Sequence, residues 1–121
     1  MNSSLSVARL GAAIAVVLTA LAVAVPAFAA PARATAAVKV TATEFKFALS
    51  TKSVTHGSVT FTVVNKGKLA HDFKIAGKKT PMLASGKTGK VTVTLKAGKY
   101  PYICTVPGHA AAGMKGTLTV K

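Results

Sequence analysis

Residues 38–121 predict an all-β fold, a Greek-key antiparallel β-sandwich of seven to eight short strands. Three observations lead to it. Apolar and polar residues alternate with period two in run after run. Gly, Pro, Asn and Ser punctuate those runs at close spacing. No stretch after residue 37 carries a convincing helical period, so two stacked sheets are the way to bury the apolar faces.

The elements follow in order. Residues 38–43 alternate, and residues 45–49 alternate again. Residues 58–64 form the cleanest strand, with Val59, Phe61 and Val63 on one face. Asn65 and Gly67 mark a turn, after which residues 69–76 read as a strand carrying His71. Residues 77–86 read as a longer loop with room for one helical turn. Residues 88–95 point Val91, Val93 and Leu95 inward. A turn at Ala97 and Gly98 leads into a strand over residues 99–104. A loop follows, and residues 115–120 close the chain.

The first third is different. Arg9 precedes an uncharged run over residues 10–25, rich in Ala, Val and Leu. Pro26 ends the run, and Ala27-Phe28-Ala29 has the small-x-small form of a signal-peptidase site. Residues 1–29 therefore read as a secretory signal peptide cleaved after Ala29, with Ala30 and Ala32 as alternative ends. The competing reading is an uncleaved amino-terminal anchor, for which the run is short against the ~20 residues a spanning helix needs. With no cysteine near the site, a lipid-modified terminus is excluded. Residues 30–37 read as a flexible leader. The implied location is periplasmic or extracellular, with membrane tethering if the segment stays.

The chain has 16 Lys and Arg against 2 Asp and Glu. Without Arg9 this becomes 15 against 2, a net +13. The lysines are spread along residues 39–121, with no arginine cluster or interleaved aromatic stripe, so nucleic acid is not an expected partner. Two readings stand side by side. One is a solvated surface that also protects sheet edges. The other is steering toward an acidic protein or an anionic membrane surface.

Cys104 is the sole cysteine, so no internal disulfide staples this small domain. A free thiol outside the cytoplasm is open to oxidation, and binding a metal removes that hazard. His109 lies five residues after Cys104, and Met114 five residues after His109. Thiolate, imidazole and thioether on one loop, joined by His71 from upstream, make the donor set of a mononuclear blue-copper site. Pro107 and Gly108 permit a sharp bend before His109, and Gly113 relieves crowding beside Met114. His56, before Gly57, reads as a solvent-exposed histidine. A zinc site with His56 as fourth ligand leaves Met114 unexplained. Three histidines and one cysteine are too few for the further copper sites of multicopper enzymes, so no enzyme activity is expected.

This constellation resembles the cupredoxins, the small blue-copper electron carriers. The resemblance rests on His71, Cys104, His109 and Met114, on the Tyr100-x-Tyr102-x-Cys104 approach, and on the exit from Gly113 to Gly116. The loop spacing is most like that of rusticyanins and auracyanins. The resemblance implies one type 1 copper per chain, held by those four residues, and a monomer that shuttles single electrons. A copper chaperone or copper store using the same ligands is the alternative. It also implies that His109 presents its ring edge at the surface for redox protein partners. Pro107 and Ala110 to Ala112 would flank it, with Leu69, Ala70, Met82 and Leu83 as extensions of the patch, or with Met82 and Leu83 in the core instead. Asp72 stands where the family often has Asn or Ser bonded to the backbone beside the cysteine, here Thr105. Its competing reading is a surface carboxylate paired with a lysine.

Overall fold

The computed structural model describes Gly11, residues 13–24, Pro26 and residues 35–121. The expected cleavage points at Ala29, Ala30 and Ala32 lie outside the described residues. Residues 13–24 carry neither helix nor strand. No helix among the described residues is long and apolar enough to cross a membrane.

From Ala36 onward the chain builds two stacked sheets. The first strand, β1 (Ala36–Thr43), starts ahead of the boundary expected at Val38. Ala36 and Ala37 pair with Val59 and Thr60, so they belong to the sheet and not to the leader. β2 (Lys46–Leu49), β4 (Gly57–Asn65) and β7 (Thr88–Leu95) complete the first sheet in the order β2-β1-β4-β7. The second sheet runs β3-β9-β8-β5-β6. Its strands are β3 (Ser53–Val54), β5 (Lys74–Ile75), β6 (Lys78–Lys79), β8 (Gly98–Ile103) and β9 (Lys115–Val120).

The sandwich is as expected, but its sheets are mixed. β1 pairs with β4 in parallel, and β3 pairs with β9 in parallel. The cause is connectivity. After β2 the chain crosses to the other sheet as β3 before it returns as β4, so β1 and β4 run the same way. Period-two alternation is indifferent to strand direction and could not reveal this.

The alternating residues meet between the sheets. Val38, Val40, Val59, Phe61 and Val63 from the first sheet face Ile75, Tyr102, Leu118 and Val120 from the second, all buried. Phe73 sits among the rings of Phe47, Phe61 and Tyr102, with centroids 5.2–5.4 Å away. Burying a side chain of this size contributes roughly 1.5–3 kcal/mol. Edge strands β2 and β6 carry Lys46, Lys78 and Lys79, which fits the edge-protection reading of those lysines.

Two local expectations change. Residues 69–76 are not one strand. His71 instead makes an isolated bridge to Leu83, with backbone bonds of 3.0 and 2.8 Å. Residues 77–86 hold no helical turn. They include β6, which folds back on β5 through Ala76 (φ 49°) and Gly77 (φ 76°), the two positive φ values of a type I′ hairpin. The single helical turn among the described residues is α1 (His109–Ala112), in the loop after β8.

Candidate metal centre

The loop between β8 and β9 is closed by its own backbone. Cys104 follows directly on β8, and its N–H donates to the Met114 carbonyl at 3.0 Å. Gly108 turns the chain with φ 83°, and α1 starts at His109. Met114 N–H then donates to the His109 carbonyl at 3.1 Å. Gly113 has φ 128°, and a Cβ there would stand 2.8 Å from the Phe45 carbonyl oxygen. Glycine is thus required at this position by conformation and by space.

His71 is placed from the opposite side by a different device. The fully buried Asn65 ends β4 and turns its amide into the next loop. Its Nδ2 donates to the carbonyls of Leu69 and Leu83, both at 2.8 Å, and its Oδ1 accepts from Gly67 N–H at 2.9 Å. These bonds tie Leu83, one partner of the His71–Leu83 bridge, to Leu69, two residues ahead of the other. Asn65 is more than the turn residue its sequence context suggests.

The two devices bring three donor atoms to one point. His71 Nδ1 lies 3.1 Å from His109 Nδ1 and 4.0 Å from Cys104 Sγ, while His109 Nδ1 is 3.7 Å from the sulfur. A point equidistant from the corners of that triangle is about 2.1 Å from each, close to the ~2.0–2.3 Å of metal–nitrogen and metal–sulfur bonds. His71, Cys104 and Met114 are buried, and His109 is 8% exposed. Two imidazole nitrogens and a sulfur facing each other out of water suit a cation of borderline softness.

The electrostatics point the same way. Burial pushes the Cys104 thiol above its ordinary range. Backbone N–H groups of Asp72 and Val106 oppose the rise, and the Asp72 carboxylate adds to it. A bound cation reverses that balance and holds the thiolate.

Asp72 is 1% exposed and makes no lysine ion pair among the described residues. Its Oδ1 accepts from Thr105 N–H at 2.6 Å, and its Oδ2 accepts from the Thr105 hydroxyl. It therefore ties the His71 segment to the Cys104 loop, as one of the two sequence readings had it.

Two residues at the site went unnoticed in the sequence. Glu44, in the turn between β1 and β2, puts Oε1 3.2 Å from His71 Nε2. The N–H of Leu69 first, and then its other hydrogen bonds, hold its carboxyl down to about 2. Phe45 sets its ring edge against His109, with centroids 5.1 Å apart at 72°. The one available signal for Glu44 was its rarity in so basic a chain. Among the candidate patch residues, Leu83 is core at 4% exposure, whereas Met82 (53%) and Leu69 (47%) lie open. His56 is exposed, with Nδ1 2.9 Å from the Lys121 carbonyl, and takes no part in the cluster.

A β-sandwich that gathers two histidines and a cysteine, with a buried methionine on the same loop, defines a small blue-copper protein. The chain belongs to the copper-binding proteins of the plastocyanin/azurin family, whose model matches residues 32–121. It is 62% identical over 42 residues to auracyanin-B of Chloroflexus aurantiacus, a match covering 34% of this chain and 18% of that one. It is 36% identical over 83 residues to rusticyanin of Acidithiobacillus ferrooxidans, covering 52% and 44% respectively. The chain thus spans less than half the length of these relatives. Among solved structures, rusticyanin from Thiobacillus ferrooxidans superposes with a TM-score of 0.61 at 28% identity, over 72% of this chain and 77% of that one. Auracyanin A of Chloroflexus aurantiacus shares the fold with a TM-score of 0.62 at 23% identity, over 73% of this chain and all of that one. Copper is the cofactor to which the family and the donor set both point.

Proposed function

We propose that the chain is an exported, monomeric carrier of single electrons, with no catalysis of its own. His71 Nδ1, His109 Nδ1 and the Cys104 thiolate would hold the copper, with the buried Met114 thioether as a weaker fourth donor. The observation that carries this reading is the buried triangle of two imidazole nitrogens and one sulfur, with edges of 3.1, 3.7 and 4.0 Å.

Copper bound there supplies a one-electron Cu(I)/Cu(II) couple. The protein's part is to keep the donors still. Cys104 and Met114 are locked to each other through the backbone, and Asp72 ties the Cys104 loop to the His71 segment. Donors fixed in this way rearrange little when the charge at their centre changes, which favours fast exchange. At 8% exposure His109 lies nearest the surface of the four, so the shortest route to a partner runs through it. Exposed Ala111 and Ala112 follow it on α1, and Phe45, 39% exposed, packs on its ring. The lysine-rich surface attracts an acidic redox partner. Export rests on the signal-like segment over residues 1–29.

The test is a visible spectrum with redox titration of the copper-loaded protein. An intense thiolate-to-Cu(II) band is expected, and Cys104→Ser is expected to abolish it. A colourless, tetragonal Cu(II) complex would overturn the assignment. Slow self-exchange together with ready loss of copper to a chelator would favour storage or delivery over electron transfer. The rate with an acidic partner should fall as salt rises, and a flat profile would leave the lysines a role in solubility alone.

A further inference from the structure

Glu44 and Asp72 are the chain's two acidic residues, set against 16 basic ones, and both are directed at the metal centre. Asp72 reaches the backbone beside Cys104. Glu44 reaches the other side, behind His71. Its Oε1 accepts from Lys68 N–H and Leu69 N–H, each at 2.7 Å, and lies 3.2 Å from His71 Nε2. Room is made for it, because a Cβ on Gly67 would fall 2.5 Å from that oxygen. The carboxylate is therefore seated in a formed pocket of N–H donors, with the fully buried His71 ring as one wall.

An ionised carboxylate only accepts hydrogen bonds, so the His71 nitrogen facing it carries the proton. With the proton on Nε2, the Nδ1 lone pair is free to point at Cys104 and His109. We infer that Glu44 is a positioning residue of the copper site, which fixes the Nε2–H tautomer of His71 and places a full negative charge behind that ligand. The inference rests on the copper reading proposed above. A carboxylate hydrogen-bonded to a ligand histidine raises that ligand's basicity and favours the more highly charged oxidation state of the metal. The charge also distinguishes Glu44 from a simple loop tie, which any neutral acceptor could provide.

Two variants separate the roles. Glu44→Gln keeps an acceptor for the loop and for His71 but removes the charge. Glu44→Ala removes both. The expected results are a higher reduction potential in both variants, an intact blue band in Glu44→Gln, and copper affinity weakened by about 10–100-fold in Glu44→Ala. Nitrogen-15 NMR of the His71 ring should show the proton on Nε2 in the copper-free and Cu(I) forms of the parent. Loss of that slowly exchanging proton signal is expected in Glu44→Ala. The inference is overturned if Glu44→Gln leaves the potential unchanged, or if the parent carries the His71 proton on Nδ1 without copper. Absence of the blue band in the parent would instead sink the copper reading. The copper-free tautomer measurement would then decide the role of Glu44 by itself.

Discussion

Asn65→Ala is expected to be among the most damaging single changes outside the metal ligands, and its cost can be worked from the structure. The side chain is fully buried and makes three hydrogen bonds of 2.8–2.9 Å, two donated and one accepted. Each such bond contributes about 0.5–1.5 kcal/mol net, and a partner left buried and unpaired costs somewhat more. Gly67 N–H is buried and loses its acceptor, the Leu83 carbonyl keeps its bond from His71 N–H, and the Leu69 end is nearer water and can be partly rehydrated. The expected loss is about 2–4 kcal/mol. With a urea m-value of about 1.5 kcal/mol/M, the midpoint of the copper-free protein should fall by about 1–3 M at unchanged m. Asn65→Asp is the sharper control. It keeps the acceptor for Gly67 but turns a carboxylate oxygen toward two carbonyl oxygens, so it should be at least as destabilising. A loss below about 0.5 kcal/mol in Asn65→Ala would show that the loop carrying His71 is held by something else. An Asn65→Asp protein as stable as the parent would refute the donor role of the amide.

Other changes probe the closed loop. Met114→Gln should retain copper and shift its potential, since the axial donor tunes a blue-copper site; an unchanged potential on redox titration would remove Met114 from that role. Gly113→Ala should cost about 1–3 kcal/mol in urea unfolding, because φ 128° is strained for alanine and its Cβ meets the Phe45 carbonyl. It should also perturb the blue band, because Phe45 packs on His109; an unaltered spectrum and midpoint would show that the loop relaxes freely.

The sequence was most legible where a periodic pattern or a distinctive residue carried the information. Val59, Phe61 and Val63 alternate because one face of β4 is buried, and they are the centre of the core. Cys104, His109 and Met114 could be read together because a short loop keeps them near one another whatever surrounds them. Sheet direction was not legible, since a strand's side chains alternate alike in parallel and antiparallel pairs. The strand expected over residues 69–76 failed because the Asn65 amide and the bridge to Leu83 take up backbone groups that a regular ladder would use.

From residues alone came the all-β class, the donor set with His71, and the basic surface. All of these depend on composition, local spacing and side-chain chemistry, which survive in an unfolded chain. Tertiary structure alone decided what stands behind each ligand. Glu44 meets His71 across 27 residues of chain, and Asp72 meets Thr105 across 33. Such pairings arise from how two sheets close on each other; no local pattern records them, and for Asp72 the family resemblance offered the Thr105 contact only as one of two readings. The donor types were therefore written in the sequence, whereas the hydrogen bonds that aim them came from the packing of the sandwich.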